Sequence, residues 1–98
     1  MNERFKILKL VLDLRIKELP NLLFVTKNGM KKVWKYQEDH AFLYGWCIGR
    51  LENILYNELK DFDRITTTLE DKDWHMIKDL LELRQQEITK IIDDVLTQ

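Results

Sequence analysis

Lys27, Lys31, Lys32 and Lys35 crowd around Trp34 and Tyr36 in a sequence of 98 residues. Lysines neutralise phosphates, and aromatic rings stack on unpaired bases. A two-stranded ribbon carrying these residues could also enter a major groove. This cluster is the sequence's main pointer to nucleic acid. The plainer reading anchors Trp34 and Tyr36 in a core and leaves the lysines in water. A whole-chain pI of about 6.1 favours the plainer reading. So does the lack of any recognisable nucleic-acid-binding motif.

Two further sets of side chains could do chemistry. His40 and Cys47 are seven residues apart, on one face of a helix, and His75 has Asp71 and Asp79 four residues to either side. Facing helices can join such groups in a metal site. No Glu-x-x-His, Cys-x-x-Cys or His-Glu-x-x-His pattern supports one, so the expectation is no metal and a buried Cys47 that acts as a small apolar residue. A Cys–His nucleophile needs its base within hydrogen-bond reach. Two helical turns hold His40 and Cys47 roughly 10 Å apart. The three glycines, at 29, 45 and 49, match neither the P-loop nor the dinucleotide fingerprint. The sequence therefore predicts no cofactor, no catalytic residues and no enzyme.

Arg84 is the one charged member of a heptad-spaced series: Trp74, Ile77, Leu81, Arg84, Ile88, Ile91 and Val95. A charge in an apolar seam can fix register or partner choice. Alternatively, the arginine snorkels past the seam into water.

Four elements must position these residues. Residues 3–18 read as a helix, with Phe5, Leu8, Val11, Leu12 and Leu19 on a three-four spacing. Ile7, Leu10, Leu14 and Ile16 widen its apolar face. Leu19-Pro20 predicts its end, because a residue before proline is pushed out of the α region. Residues 22–36 read as a β-hairpin turning at Asn28-Gly29, the strongest short hairpin signal. Two short helices capped at Gly29 are the alternative. Residues 38–60 read as a second helix, with Ala41, Tyr44, Ile48, Leu51 and Leu55 as its stripe. Gly45 and Gly49 lie four apart on one face, which predicts a neighbour in close approach. Residues 69–96 read as the longest helix, opened by a Thr67/Glu70 capping box. A second stripe runs through Met76, Leu80, Leu83 and Ile92.

That last helix would span roughly 42 Å at 1.5 Å per residue. A globule of this chain length measures roughly 34 Å. Ile88, Ile91, Ile92, Val95 and Leu96 should then project and be exposed, which predicts a partner. The cheapest partner is a second copy.

Charge and composition set the outer limits. Residues 1–36 hold nine Lys/Arg and three Asp/Glu, hence +6, and residues 37–98 hold seven and fourteen, hence −7. Such a dipole steers an acidic partner to one end, or pairs the two parts with each other. The longest uncharged run, Ala41 to Gly49, is far too short to span a bilayer. Lys6, Lys9, Asp13 and Arg15 interrupt any apolar leader, so no secretory signal is expected. A single cysteine permits no internal disulfide and fits a cytoplasmic setting.

The sequence thus predicts one mainly α domain over residues 1–98. It has three helices in a bundle and a hairpin between the first two. Its long, coiled-coil-like third helix forms a homodimer seam at Trp74, Ile77, Leu81, Arg84, Ile88, Ile91 and Val95. The expected function is a non-enzymatic interaction or regulatory protein acting through that helical surface on an unidentified protein partner. The alternative is nucleic-acid binding through Lys27, Lys31, Lys32, Trp34, Lys35 and Tyr36. A third reading lays the first helix on a membrane surface, with Lys6, Lys9 and Lys17 toward the headgroups.

Overall fold

The first helix does not stop at Pro20. In a computed structural model that describes residues 3–33, 39–63 and 70–97, α1 runs unbroken over Glu3–Val33. Proline inside a helix removes one backbone hydrogen bond and costs about 3 kcal/mol. Pro20 itself is exposed, while Leu19 and Leu23 are fully buried beside it. Burying two leucines recovers about 1.5–3 kcal/mol each, enough to carry the helix through.

The hairpin is overturned by the same continuity. Residues 22–33 are helical, and no strand occurs among the described residues. Asn28 and Gly29 sit within α1, neither as a turn nor as a cap. Leu23 is a core residue at helical spacing from Leu19, and that packing overrides the local preference for a strand. Trp34, Lys35 and Tyr36 lie outside the described residues.

The chain has four described helices rather than three. After α1 come α2 (Asp39–Asp63), α3 (Asp71–Leu83) and α4 (Gln85–Leu96). The long third helix is interrupted at Arg84, whose φ of −105° and ψ of 8° leave the α region. Its N–H reaches back to the Leu81 carbonyl at 3.2 Å, and the Ile88 N–H resumes the ladder on the Arg84 carbonyl at 3.0 Å. The interruption falls at the charged member of the apolar series. Thr67 lies outside the described residues. Glu70 takes the N-cap position, and its N–H donates to Asp73 Oδ2 at 3.3 Å.

Three ties set the direction of the helices. Arg4 meets Asp73, Arg84 meets Asp13, and Lys27 meets Val95. So α3 and α4 follow each other along α1 in the same direction. α2 runs the opposite way, with His40 near Asp93 and Tyr56 near Trp74. The buried line of α2, Leu43, Cys47, Leu51, Leu55 and Leu59, takes every fourth residue. Such a line drifts about 40° per step around a helix. Its first half therefore faces α4 and its second half α3.

The C-terminal turns do not project. The molecule is elongated, 39 × 24 × 19 Å, with a radius of gyration of 14.6 Å. Its long axis matches the length of α3 plus α4, and Ile88, Ile92 and Val95 are buried in the same chain.

The two glycines of α2 also depart from expectation. A Cβ built on Gly45 or Gly49 meets nothing within 4 Å. No neighbour among the described residues approaches them, and both are exposed. Replacing each by alanine should stabilise the protein by about 0.5–1 kcal/mol through helix propensity alone. Chemical denaturation of Gly45→Ala/Gly49→Ala checks this. A loss of stability would mean that α2 is packed differently there.

Candidate functional site

The heptad series is interior. Ile77, Leu81, Ile88 and Val95 are buried among α1 and α2 of one chain, with Trp74 and Ile91 half-buried at the edge. The ring of Trp74 stacks on Tyr56 at 5.1 Å and 19°. As placed, these residues form core and do not offer a free surface to a second copy.

Arg84 is engaged within its own chain rather than snorkelling freely. One terminal nitrogen holds the Asp13 carboxylate on α1, and Nε donates to Glu87 Oε2 at 2.8 Å. These two carboxylates, Glu87 first, raise its pKa further above the usual guanidinium range, against the desolvation of its site. The arginine ties the break between α3 and α4 to the middle of α1.

Asp73 is the one buried polar residue among those described, at 2% exposure. One oxygen accepts from Arg4 at 2.5 Å and the other from the Glu70 backbone. All of this serves the start of α3.

The candidate chemical groups are dispersed. Cys47 is fully buried, and burial pushes its thiol up to about 11 despite the opposing pull of Arg50. A thiol held neutral is a poor nucleophile and a poor metal ligand. His40 Nε2 lies 2.9 Å from Asp93 Oδ1 and its ring stacks on Tyr44. His75 is exposed. Among the described residues no group of three His, Cys, Asp or Glu side chains could hold a metal ion.

The raised thiol has a consequence for stability. Its folded pKa lies above the unfolded value, so its contribution is complete below about pH 8.5 and is lost as pH climbs toward 11. The loss should reach about 2–3 kcal/mol. Comparing wild type with Cys47→Ala by urea denaturation at pH 8 and pH 10.5 isolates it. Equal pH slopes in the two proteins would show that Cys47 does not titrate late.

Of the basic cluster, Lys27 is already engaged. Its ammonium donates to the Val95 carbonyl at 2.8 Å and sits 5.3 Å from the centre of the Phe24 ring. It caps the C-terminal end of α4, where free carbonyls and the helix dipole favour a cation. The backbone at Lys31 and Lys32 is helical.

What the structure brings to the surface instead is apolar. Leu10 and Leu14, expected to broaden the buried face of α1, are 63% and 59% exposed. Phe24 and Val25 are exposed on the same helix. At 100° per residue, Leu10 and Leu14 lie nearly opposite Leu8, Leu12 and Leu19, and a helical projection would have found them. Exposed Lys6, Lys9, Arg15 and Lys17 flank them, with Glu3 and Glu18 paired to Lys6 and Arg15.

A second apolar feature lies between α1 and α3. Phe5, Lys9, Leu12, Leu80, Leu83 and Arg84 line a hollow of about 90 Å³. Leu83, expected within a buried stripe, stands on its rim at 77% exposure. At 100° per residue Leu83 lies about 100° from the centre of the buried face of Ile77, Leu80 and Leu81, so a projection of α3 alone would have found it.

Fold and surface together define an elongated, mainly α protein, helical throughout its described elements, with apolar side chains exposed on a basic helix. No family model matches the chain, and neither do any curated protein or solved structure. No helix among the described residues is long and apolar enough to cross a membrane.

Proposed function

We propose that this is a non-enzymatic interaction protein that docks a partner on a helical surface. The observation that carries the reading is the outer face of α1. Among the described residues, four of the six exposed large apolar side chains, Leu10, Leu14, Phe24 and Val25, belong to that one helix. Single exposed apolar residues are ordinary, but a grouping of them marks a contact surface. The lysines and arginine around Leu10 and Leu14 suit an acidic partner. Such a partner would present apolar side chains flanked by carboxylates.

The test compares proteins retained by immobilised wild-type chain and by Leu10→Glu/Leu14→Glu. Both positions are exposed, so the variant should keep its helicity and melting temperature. Loss of a retained acidic partner supports the reading. Identical retention by wild type and variant overturns it.

Nucleic-acid binding through the basic third is the second reading. Its support is the charge of α1, which carries eight Lys/Arg against three Asp/Glu over residues 3–33. The engagement of Lys27 with Val95 weighs against it. A tryptophan-fluorescence titration with mixed single- and double-stranded nucleic acid separates the two. Micromolar binding that falls steeply between low and physiological salt would put nucleic acid first. No change at low salt would remove it.

A further inference from the structure

Opposite charges lie on the two banks of the groove between α1 and α3. Along the groove, residues 3–14 hold three basic and two acidic side chains, while residues 71–83 hold two and four. The ties Arg4–Asp73 and Asp13–Arg84 pair residues about 70 apart, so Lys9 stands level with Asp79. Both are exposed, and neither forms an ion pair among the described residues. Lys9 lines the hollow over Leu12 and Leu80, with Leu83 on its rim. A leucine 77% exposed beside an unfilled apolar hollow is a knob next to a hole.

We infer that this groove is a self-association site, in which two copies pair about a two-fold axis running along it. That axis lays α1 of each copy on α3 of the other. Each Leu83 then seats against the partner's hollow, and each Lys9 faces an Asp79 across the interface. A perpendicular axis would instead turn the Lys9 edge of each copy toward the same edge of its partner and forgo the Lys9–Asp79 pairing, which like-charge repulsion disfavours. A self-complementary patch of this kind is what a closed dimer requires. Such interfaces cover about 800 Å² per partner. The faces of a 39 × 24 × 19 Å molecule are of that size. The inference goes beyond the docking face of α1, uses a different surface, and is read by mass and not by partner capture.

Sedimentation velocity of the full chain from low to high micromolar concentration tests it. Wild type should move from monomer toward twice the monomer mass. Leu83→Glu should weaken the dimer by about tenfold or more, as expected for a central apolar anchor. Its circular dichroism and its melting in dilute solution should be unchanged. Lys9→Glu should also weaken the dimer, and adding Asp79→Lys should restore it by exchanging the charges. A wild type that stays monomeric throughout, or a dimer indifferent to Leu83→Glu and to the charge exchange, overturns the inference.

Discussion

Replacing Ile88 by alanine should destabilise the single chain by about 2–5 kcal/mol, the range for removing a fully buried branched side chain. Ile88 is fully buried against the other helices of its own chain. The loss should appear undiminished in protein dilute enough to be monomeric, measured by urea denaturation followed at 222 nm. This separates core from interface. Were the heptad series a seam between copies, the substitution would change association and leave the dilute monomer nearly unaffected. An effect under about 1 kcal/mol would contradict the packing of α4 described above.

The second large effect is expected at Asp73. Its carboxylate is almost wholly removed from water, while the Arg4 side chain that it meets is about one-fifth exposed. Deleting one partner of a buried pair typically costs 3–5 kcal/mol, because the other charge is left desolvated. The partial exposure of Arg4 lowers the expectation for Asp73→Ala to about 2–4 kcal/mol, which includes the lost bond to the Glu70 N–H. Asp73→Leu combined with Arg4→Met should recover much of the loss, since an apolar pair of similar volume is often neutral where an ion pair was buried. Thermal denaturation of the two single variants and the double variant closes a thermodynamic cycle. Additive losses would show that the two residues do not act on each other.

The helical character of the chain was readable from periodicity, because stripes such as Leu8, Leu12, Leu19 and Leu51, Leu55, Leu59 recur at helical spacing over several turns. The errors have separate physical causes. Asn28-Gly29 and the β-friendly run before it state a local preference, and the burial of Leu19 and Leu23 outweighs it. Pro20 is tolerated because it faces water. The interruption at Arg84 carries no glycine or proline to announce it. The exposure of Leu10 and Leu14 was within reach of a helical projection but hidden by the density of apolar residues around them. The expected protrusion of the C-terminus assumed a sphere, whereas the molecule is twice as long as it is thick in its narrowest direction.

The arrangement of α1 beside α3 and α4 also bears on how the chain reaches this state. Arg4–Asp73, Asp13–Arg84 and Lys27–Val95 each join residues 68 to 71 positions apart, whereas the Tyr56–Trp74 stack between α2 and α3 joins residues 18 apart. Closing a loop of that size costs more entropy than pairing adjacent helices. The ties from α1 to the last two helices should therefore form late, after α2 has paired with its sequence neighbours. Bonds made after the rate-limiting step act on the way out and not on the way in. These three contacts are thus placed to slow the loss of the folded state, while the speed of acquiring it rests with the apolar line of α2.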